Sequence, residues 1–380
     1  IIILVPFASN FYDEPLITKI IIYSAISVLI SPFFEIHYKL KERDLEFKLL
    51  SIIVIISTFL GSISAVIGAY LGLGVYALVI QVLVSPFARM ILVLKYSSWK
   101  PHFVFSFNDV KDMIWYSIKF KTSISFLYLE RNIDYLILGK IFVATILGYY
   151  AFAYNIMYTP VKRLSYIFGE ILFPSFSKVK DNNKIITGYF ESIRIISMIS
   201  FPLMTILAFN AELIIQTIFS NKWDNAIPIV QVLSFAGAFQ SIGQFGGVIF
   251  SSIGKPEIGT YIAILRTIMV SGAILIGSYY GILAVAYGLV IVKIISTLVM
   301  FKAINYCISY SYKKLVNHLN GSLTVVCSLF IIQFICIKYM PNLNPEFKLI
   351  IMIIGSILIL FKFYYFVIKD IAYKLYIKRN

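Results

Sequence analysis

Apolar stretches of about twenty residues recur along the whole chain, separated by short polar connections. They cover residues 17–36, 49–70, 75–95, 113–138, 143–176, 188–218, 228–251, 258–278, 282–302, 316–338 and 349–368, and residues 1–11 read as the tail of one more helix. At 1.5 Å of rise per residue, about twenty residues span a hydrocarbon core of roughly 30 Å. Only helices and closed barrels satisfy their backbone inside lipid, and these runs are too long and too evenly apolar for alternating barrel strands. The pattern predicts an all-α polytopic membrane protein.

The connections alternate in charge. Those on one side hold Lys19, Lys140, Lys222, Lys338 and Lys348; those on the other hold eighteen lysines and arginines, including Lys39, Lys41, Arg43, Lys178, Lys313, Lys314 and Arg379. Cytoplasmic loops carry the excess of basic residues, so the C-terminus is expected in the cytoplasm. This asymmetry accounts for the net charge of +15 without nucleic acid. With 60% hydrophobic and 13% charged residues and a mean hydropathy of +0.88, the chain could not clothe a water-soluble surface. Cys307, Cys327 and Cys336 match no metal or disulfide spacing.

Three pairs of segments echo one another in order. Pro15 corresponds to Pro228, Phe47 to Ile258 and Gly68 to Gly277, at offsets of 213, 211 and 209. The last pair sits in Gly68-Ala-Tyr-Leu-Gly72 and Gly277-Ser-Tyr-Tyr-Gly281. Such a period predicts two six-helix lobes related by a pseudo-two-fold axis along the membrane normal, with transport sites between them. Residues 1–98 would be the remainder of the first lobe, 99–112 a cytoplasmic linker, 113–310 the second lobe, and 311–380 a final helix pair with a basic tail. The chain opens on Ile1 without an initiator methionine or a basic leader. The offset places the start of the first repeat about 100 residues earlier, with two helices and most of a third missing. About eleven complete helices are present, and fourteen are expected in all.

Asn132-Ile-Asp-Tyr-Leu-Ile-Leu-Gly139, Leu147-Gly-Tyr-Tyr-Ala151, Ala153-Tyr154, Pro160 and Leu172-Phe-Pro-Ser-Phe-Ser177, followed by Phe219, Trp223 and Gly254-Lys-Pro256, carry a resemblance. In order and spacing they resemble the polysaccharide exporters of the multidrug/oligosaccharidyl-lipid/polysaccharide superfamily, of exopolysaccharide, colanic-acid or teichuronic-acid type. The resemblance implies fourteen helices in two lobes around a central cavity. It also implies alternating access that flips undecaprenyl-diphosphate-linked oligosaccharide units outward across the bacterial cytoplasmic membrane. Capsule, O-antigen or exopolysaccharide assembly would follow, with a polymerase and export machinery as possible partners. Where related lipid II flippases carry Ala-Asp-Arg-Leu-Met, this chain has Ala153-Tyr-Asn-Ile-Met157, so the anion contact must come from elsewhere.

Ionisable groups at membrane depth are costly, and each is a functional candidate. Lys162 and Arg163 follow Pro160 within the 143–176 stretch, and Arg266 and Lys293 also lie deep; all four could grip a diphosphate. The competing reading makes them counter-ions of carboxylates such as Glu170 or Glu212, which are themselves candidates for coupling. Arg131 and Asp134, one turn apart, fit a local ion pair or gate. Pro32, Pro86, Pro160 and Pro202 fall inside helices, and Gly243, Gly246 and Gly247 read as close-packing positions. His37, His102 and His318 all fall at cytoplasmic ends, so neither a metal nor a cofactor is expected, and no loop is large enough for a catalytic domain. The chain is therefore read as a transporter. The alternatives are a cation-coupled multidrug antiporter, which needs buried carboxylates, and a membrane glycosyltransferase or polymerase, which needs a larger external loop.

Overall fold

The computed structural model describes residues 5–12, 15–100, 131–177 and 181–339, with isolated positions at 114, 117, 118, 128, 129, 344, 347, 350, 351, 353–355, 357, 358 and 361. At 5, 8, 165–177 and 336–339 it describes the backbone only. Contacts divide the chain into two compact units, Ile1–Lys119 and Phe120–Asn380.

The first unit holds α1 (Val5–Tyr12), α2 (Pro15–Arg43), α3 (Phe47–Tyr70) and α4 (Tyr76–Tyr96). Helices α3 and α4 form its tightest pair. A β-carbon on Gly61 would come within 2.9 Å of Ser85 Cβ, and one on Gly68 within 3.4 Å of Ala77. Small residues let the backbones close up where lipid supplies no hydrophobic drive. The outward face of α3 is Ile52, Ile55, Phe59, Ile63 and Val66, an apolar surface suited to acyl chains.

The second unit holds α5 (131–141), α6 (Ala144–Ser177), α7 (Asn182–Phe209), α8 (Ala211–Ile218), a 3₁₀ turn (Asn221–Ala226), α9 (Ile227–Gly243), α10 (Gly246–Ser252), α11 (Pro256–Ser278), α12 (Ile282–Cys307) and α13 (Tyr312–Tyr339). Helix α9 is central, touching α6, α7 and α12. Glycines explain the approach: on α9 a β-carbon on Gly237 would crowd Met157 and Met204 and one on Gly243 would lie 2.8 Å from Thr297 Oγ1, and at the start of α10 one on Gly246 would overlap Met300 Sδ. Nothing lies within 4 Å of Gly247, so close packing explains the first two of the expected triplet and not the third.

Among the described residues eight spans are long and apolar enough to cross a membrane, and the protein is an all-α, multi-pass membrane protein. The stretches 17–36, 49–70, 75–95, 188–218, 228–251, 258–278, 282–302 and 316–338 coincide with these helices, 143–176 forms most of α6, and most of 113–138 and 349–368 lies outside the described residues. Two of the stretches are broken, however. The 188–218 stretch divides at Asn210, whose Nδ2 donates to the Ile206 carbonyl at 2.9 Å and so caps α7. The 228–251 stretch divides at Gln244 and Phe245, between two glycines of low helix propensity. At its other end α7 starts earlier than hydrophobicity alone implies, because Asp181 accepts from the Asn183 backbone N–H at 2.9 Å as an N-cap.

The echoing glycines perform one task in each unit. Gly68 and Gly277 sit at close approaches of consecutive antiparallel helices, and a β-carbon on Gly277 would lie 2.8 Å from the Val285 backbone in the α11–α12 pair. Gly72 and Gly281 close the following turns at φ of 77° and 99°, a region open to glycine and strained for other residues.

Candidate functional site

Helix α6 differs from its neighbours in what it exposes. Between residues 146 and 164 its exposed side chains are Asn155, Thr159, Lys162 and Arg163, all polar. Positions i, i+4, i+7 and i+8 lie on one helical stripe. The opposite face packs Tyr150, Ala153, Met157 and Val161 into the core with Leu233 and Ala236 of α9. Arg163 stands about 28 Å along the axis from Ala144 and about 21 Å from Ser177, away from both ends of the helix. A polar stripe on an otherwise apolar helix suits a water-filled cavity better than acyl chains.

The chemistry of the stripe changes along its length. Asn155 Nδ2 donates to the Ala151 carbonyl at 2.8 Å, and Thr159 Oγ1 donates to the Asn155 carbonyl at 2.7 Å. Each side chain thus spends one donor on its own helix and leaves oxygen lone pairs outward, with one amide N–H of Asn155 remaining. Two turns on, Lys162 and Arg163 present donors and positive charge, and among the described residues neither has an ion-pair partner. Pro160 lies between the two zones and leaves the Ile156 carbonyl without its helical donor.

A second polar group lies inside the unit. Asp134 on α5 is buried, and its Oδ2 accepts from the Tyr150 hydroxyl at 2.8 Å. Lys293 on α12 is close enough for its charge to act on that carboxylate. Tyr135, Tyr150, Tyr154 and Tyr158 run alongside, with successive ring centroids 5.9, 5.9 and 5.5 Å apart. Gln240 of α9 lies close enough to the Tyr154 hydroxyl to act on it. Asp134 Oδ1, Gln240 Oε1 and Gln244 Nε2 are buried without hydrogen-bond partners, each at a cost of about 1–3 kcal/mol unless a polar guest meets it.

The residues singled out from the sequence therefore separate. Lys162 and Arg163 are brought together on the exposed stripe. Lys293 joins Asp134 rather than that stripe, and Arg266 on α11 is half-buried and engaged by its neighbours. Arg131 is exposed at the start of α5, and Asp134 turns inward to Tyr150 instead of pairing with it. Glu212 is exposed in the first turn of α8, where a helix N-terminus favours negative charge. Glu170 lies in α6, but its side chain is outside the described residues. Sequence reasoning missed Tyr150, Tyr154, Gln240 and the Asn155–Thr159 pair. The spacing of Tyr150, Tyr154 and Tyr158 at four-residue intervals was the available signal.

Comparison with known proteins gives this geometry its setting. A family model described as "Polysaccharide biosynthesis protein" matches residues 1–228. The chain is 26% identical over 336 residues to the teichuronic acid biosynthesis protein TuaB of Bacillus subtilis, covering 87% of this chain and 69% of that protein. It is 24% identical over 307 residues to the lipopolysaccharide biosynthesis protein WzxC of Escherichia coli, covering 80% of this chain and 62% of that protein. The chain thus spans about two thirds of the length of these relatives, and less than that for WzxC. Its fold is similar to that of a lipid II flippase, MurJ, in an inward closed conformation: the TM-score is 0.73 at 16% identity, over 94% of this chain and 75% of that one.

Proposed function

The chain belongs to the polysaccharide biosynthesis protein family, and from that premise we propose that it is a flippase for undecaprenyl-diphosphate-linked oligosaccharides. It works by alternating access in the bacterial cytoplasmic membrane, with its basic connections and C-terminus in the cytoplasm. The glycan units it delivers serve capsule, O-antigen or exopolysaccharide assembly, next to a polymerase and export machinery.

One observation carries this reading: between residues 146 and 164 the exposed face of α6 is polar and carries two adjacent cations away from both helix ends. A lipid diphosphate carries about two negative charges, which are prohibitive in an apolar core unless fixed donors receive them. Lys162 and Arg163 do so, and the planar fork of arginine matches phosphate oxygens best. Coupling falls to Asp134. Protonation of its unpartnered oxygen would weaken the hold on Lys293 and link α5 to α12.

Replacement of Arg163 tests the proposal. Arg163→Ala should abolish glycan export while the protein stays inserted and abundant, and Arg163→Lys should retain part of it. Normal export by Arg163→Ala at wild-type abundance overturns the grip. Loss of the protein from the membrane would make Arg163 a structural counter-ion instead.

A further inference from the structure

Resting on the flippase role proposed above, we infer that Asn155 and Thr159 form a separate subsite for the first sugar of the lipid-linked glycan, and that the stripe on α6 holds its cargo in one direction. Its two zones differ in hydrogen-bonding sense. The Ala151 carbonyl can only accept, which fixes the Asn155 amide with Nδ2 toward the helix and Oδ1 outward. Thr159 spends its hydrogen on the Asn155 carbonyl and likewise offers lone pairs. The upper zone therefore presents two acceptor oxygens and one remaining neutral amide N–H, and Lys162 and Arg163 below present charged donors only.

A diphosphate is an anionic acceptor with no hydrogen to give. Placed against Asn155 and Thr159 it would meet two oxygen lone pairs and a single neutral N–H, whereas the cations offer it several charged donors. A sugar hydroxyl has a hydrogen to give, which Asn155 Oδ1 and Thr159 Oγ1 accept. Arg163 and Asn155 are about 12 Å apart along the axis, room for a diphosphate and the sugar bonded to it. With the Ser177 end cytoplasmic, the diphosphate lies toward the cytoplasm and the glycan toward the outside. The upper zone is uncharged, so the class of sugar it receives is neutral or N-acetylated rather than acidic.

Binding by the purified full-length protein tests this with two probes, undecaprenyl diphosphate and the same lipid carrying one neutral hexose, followed by native mass spectrometry. Asn155→Leu with Thr159→Val should weaken the glycosylated probe about tenfold, the loss of roughly one to two hydrogen bonds, and leave the bare diphosphate within about twofold. Thr159→Val alone, isosteric and exposed, carries the test should the double variant not accumulate, with a smaller loss confined to the same probe. Equal weakening of both probes, or of neither, overturns the subsite. Arg163→Ala reports on the grip independently, because it should weaken both probes together. If it weakens neither, the flippase grip fails, while the ratio of the two probes in the Asn155 and Thr159 variants still decides the subsite.

Discussion

The Tyr150 hydroxyl donates to Asp134 Oδ2 at 2.8 Å, and both side chains are buried. Tyr150→Phe keeps the ring among Ala153 and Leu233 but leaves the carboxylate short of a donor. The expected cost is about 1–3 kcal/mol. It should appear as a lower melting temperature in detergent with normal membrane insertion. An unchanged melting temperature would mean that water reaches Asp134.

Asp134 and Lys293 should couple. Asp134→Asn removes the charge that acts on Lys293, and Lys293→Met removes the one that acts on Asp134. Each should be destabilising, by less than the ~3–5 kcal/mol of a broken fully buried pair, because Lys293 is half-buried. The double variant should recover much of that loss, and a double-mutant cycle on detergent stability measures it. Strictly additive losses would return Lys293 to the set of cargo-binding cations.

These two relationships also mark where the sequence stopped being legible. Spans such as 49–70 and 282–302 could be read because lipid demands length and apolarity, and both leave a direct trace. The break at Asn210 left none, since an asparagine between two apolar runs looks the same inside a helix or at its cap until its side chain is seen on the Ile206 carbonyl. Asp134 and Lys293 stand far apart in the chain, and no periodicity connects α5 with α12. Lys162 and Arg163 were recognised by depth alone. Asn155 and Thr159 were missed, because their meaning depends on which face of α6 the core covers.

Gly246 tolerates no side chain, since a β-carbon there overlaps Met300 Sδ, whereas Gly247 has open space. Gly246→Ala should destabilise by about 1–3 kcal/mol through overpacking. Met300→Ala in the same chain should relieve much of it, and Gly247→Ala should be close to neutral. Protein abundance and thermal stability across the three variants check this, and equal tolerance at both glycines would refute the contact.

Cysteines placed at Tyr70, Asn182 and Asn344, all exposed, report orientation. With basic connections inside, Tyr70→Cys and Asn344→Cys should react with an impermeant thiol reagent on intact cells, and Asn182→Cys only after lysis. The reverse pattern would invert the protein, and with it the direction of the stripe on α6.

The paired glycines of α3–α4 and α11–α12 bear on how the chain enters the membrane during synthesis. In each hairpin a close joint lies beside the turn, Gly68 against Ala77 and Gly277 against Val285. A loop that short costs little entropy to close. Each hairpin can therefore zip from its turn as soon as its second helix leaves the translocon, without waiting for distant partners. Insertion would then proceed by helix pairs, each carrying its own fastening. A bulky residue at Gly68 or Gly277 should then show itself first as a nascent chain stalled at the translocon, before any loss of export could be measured.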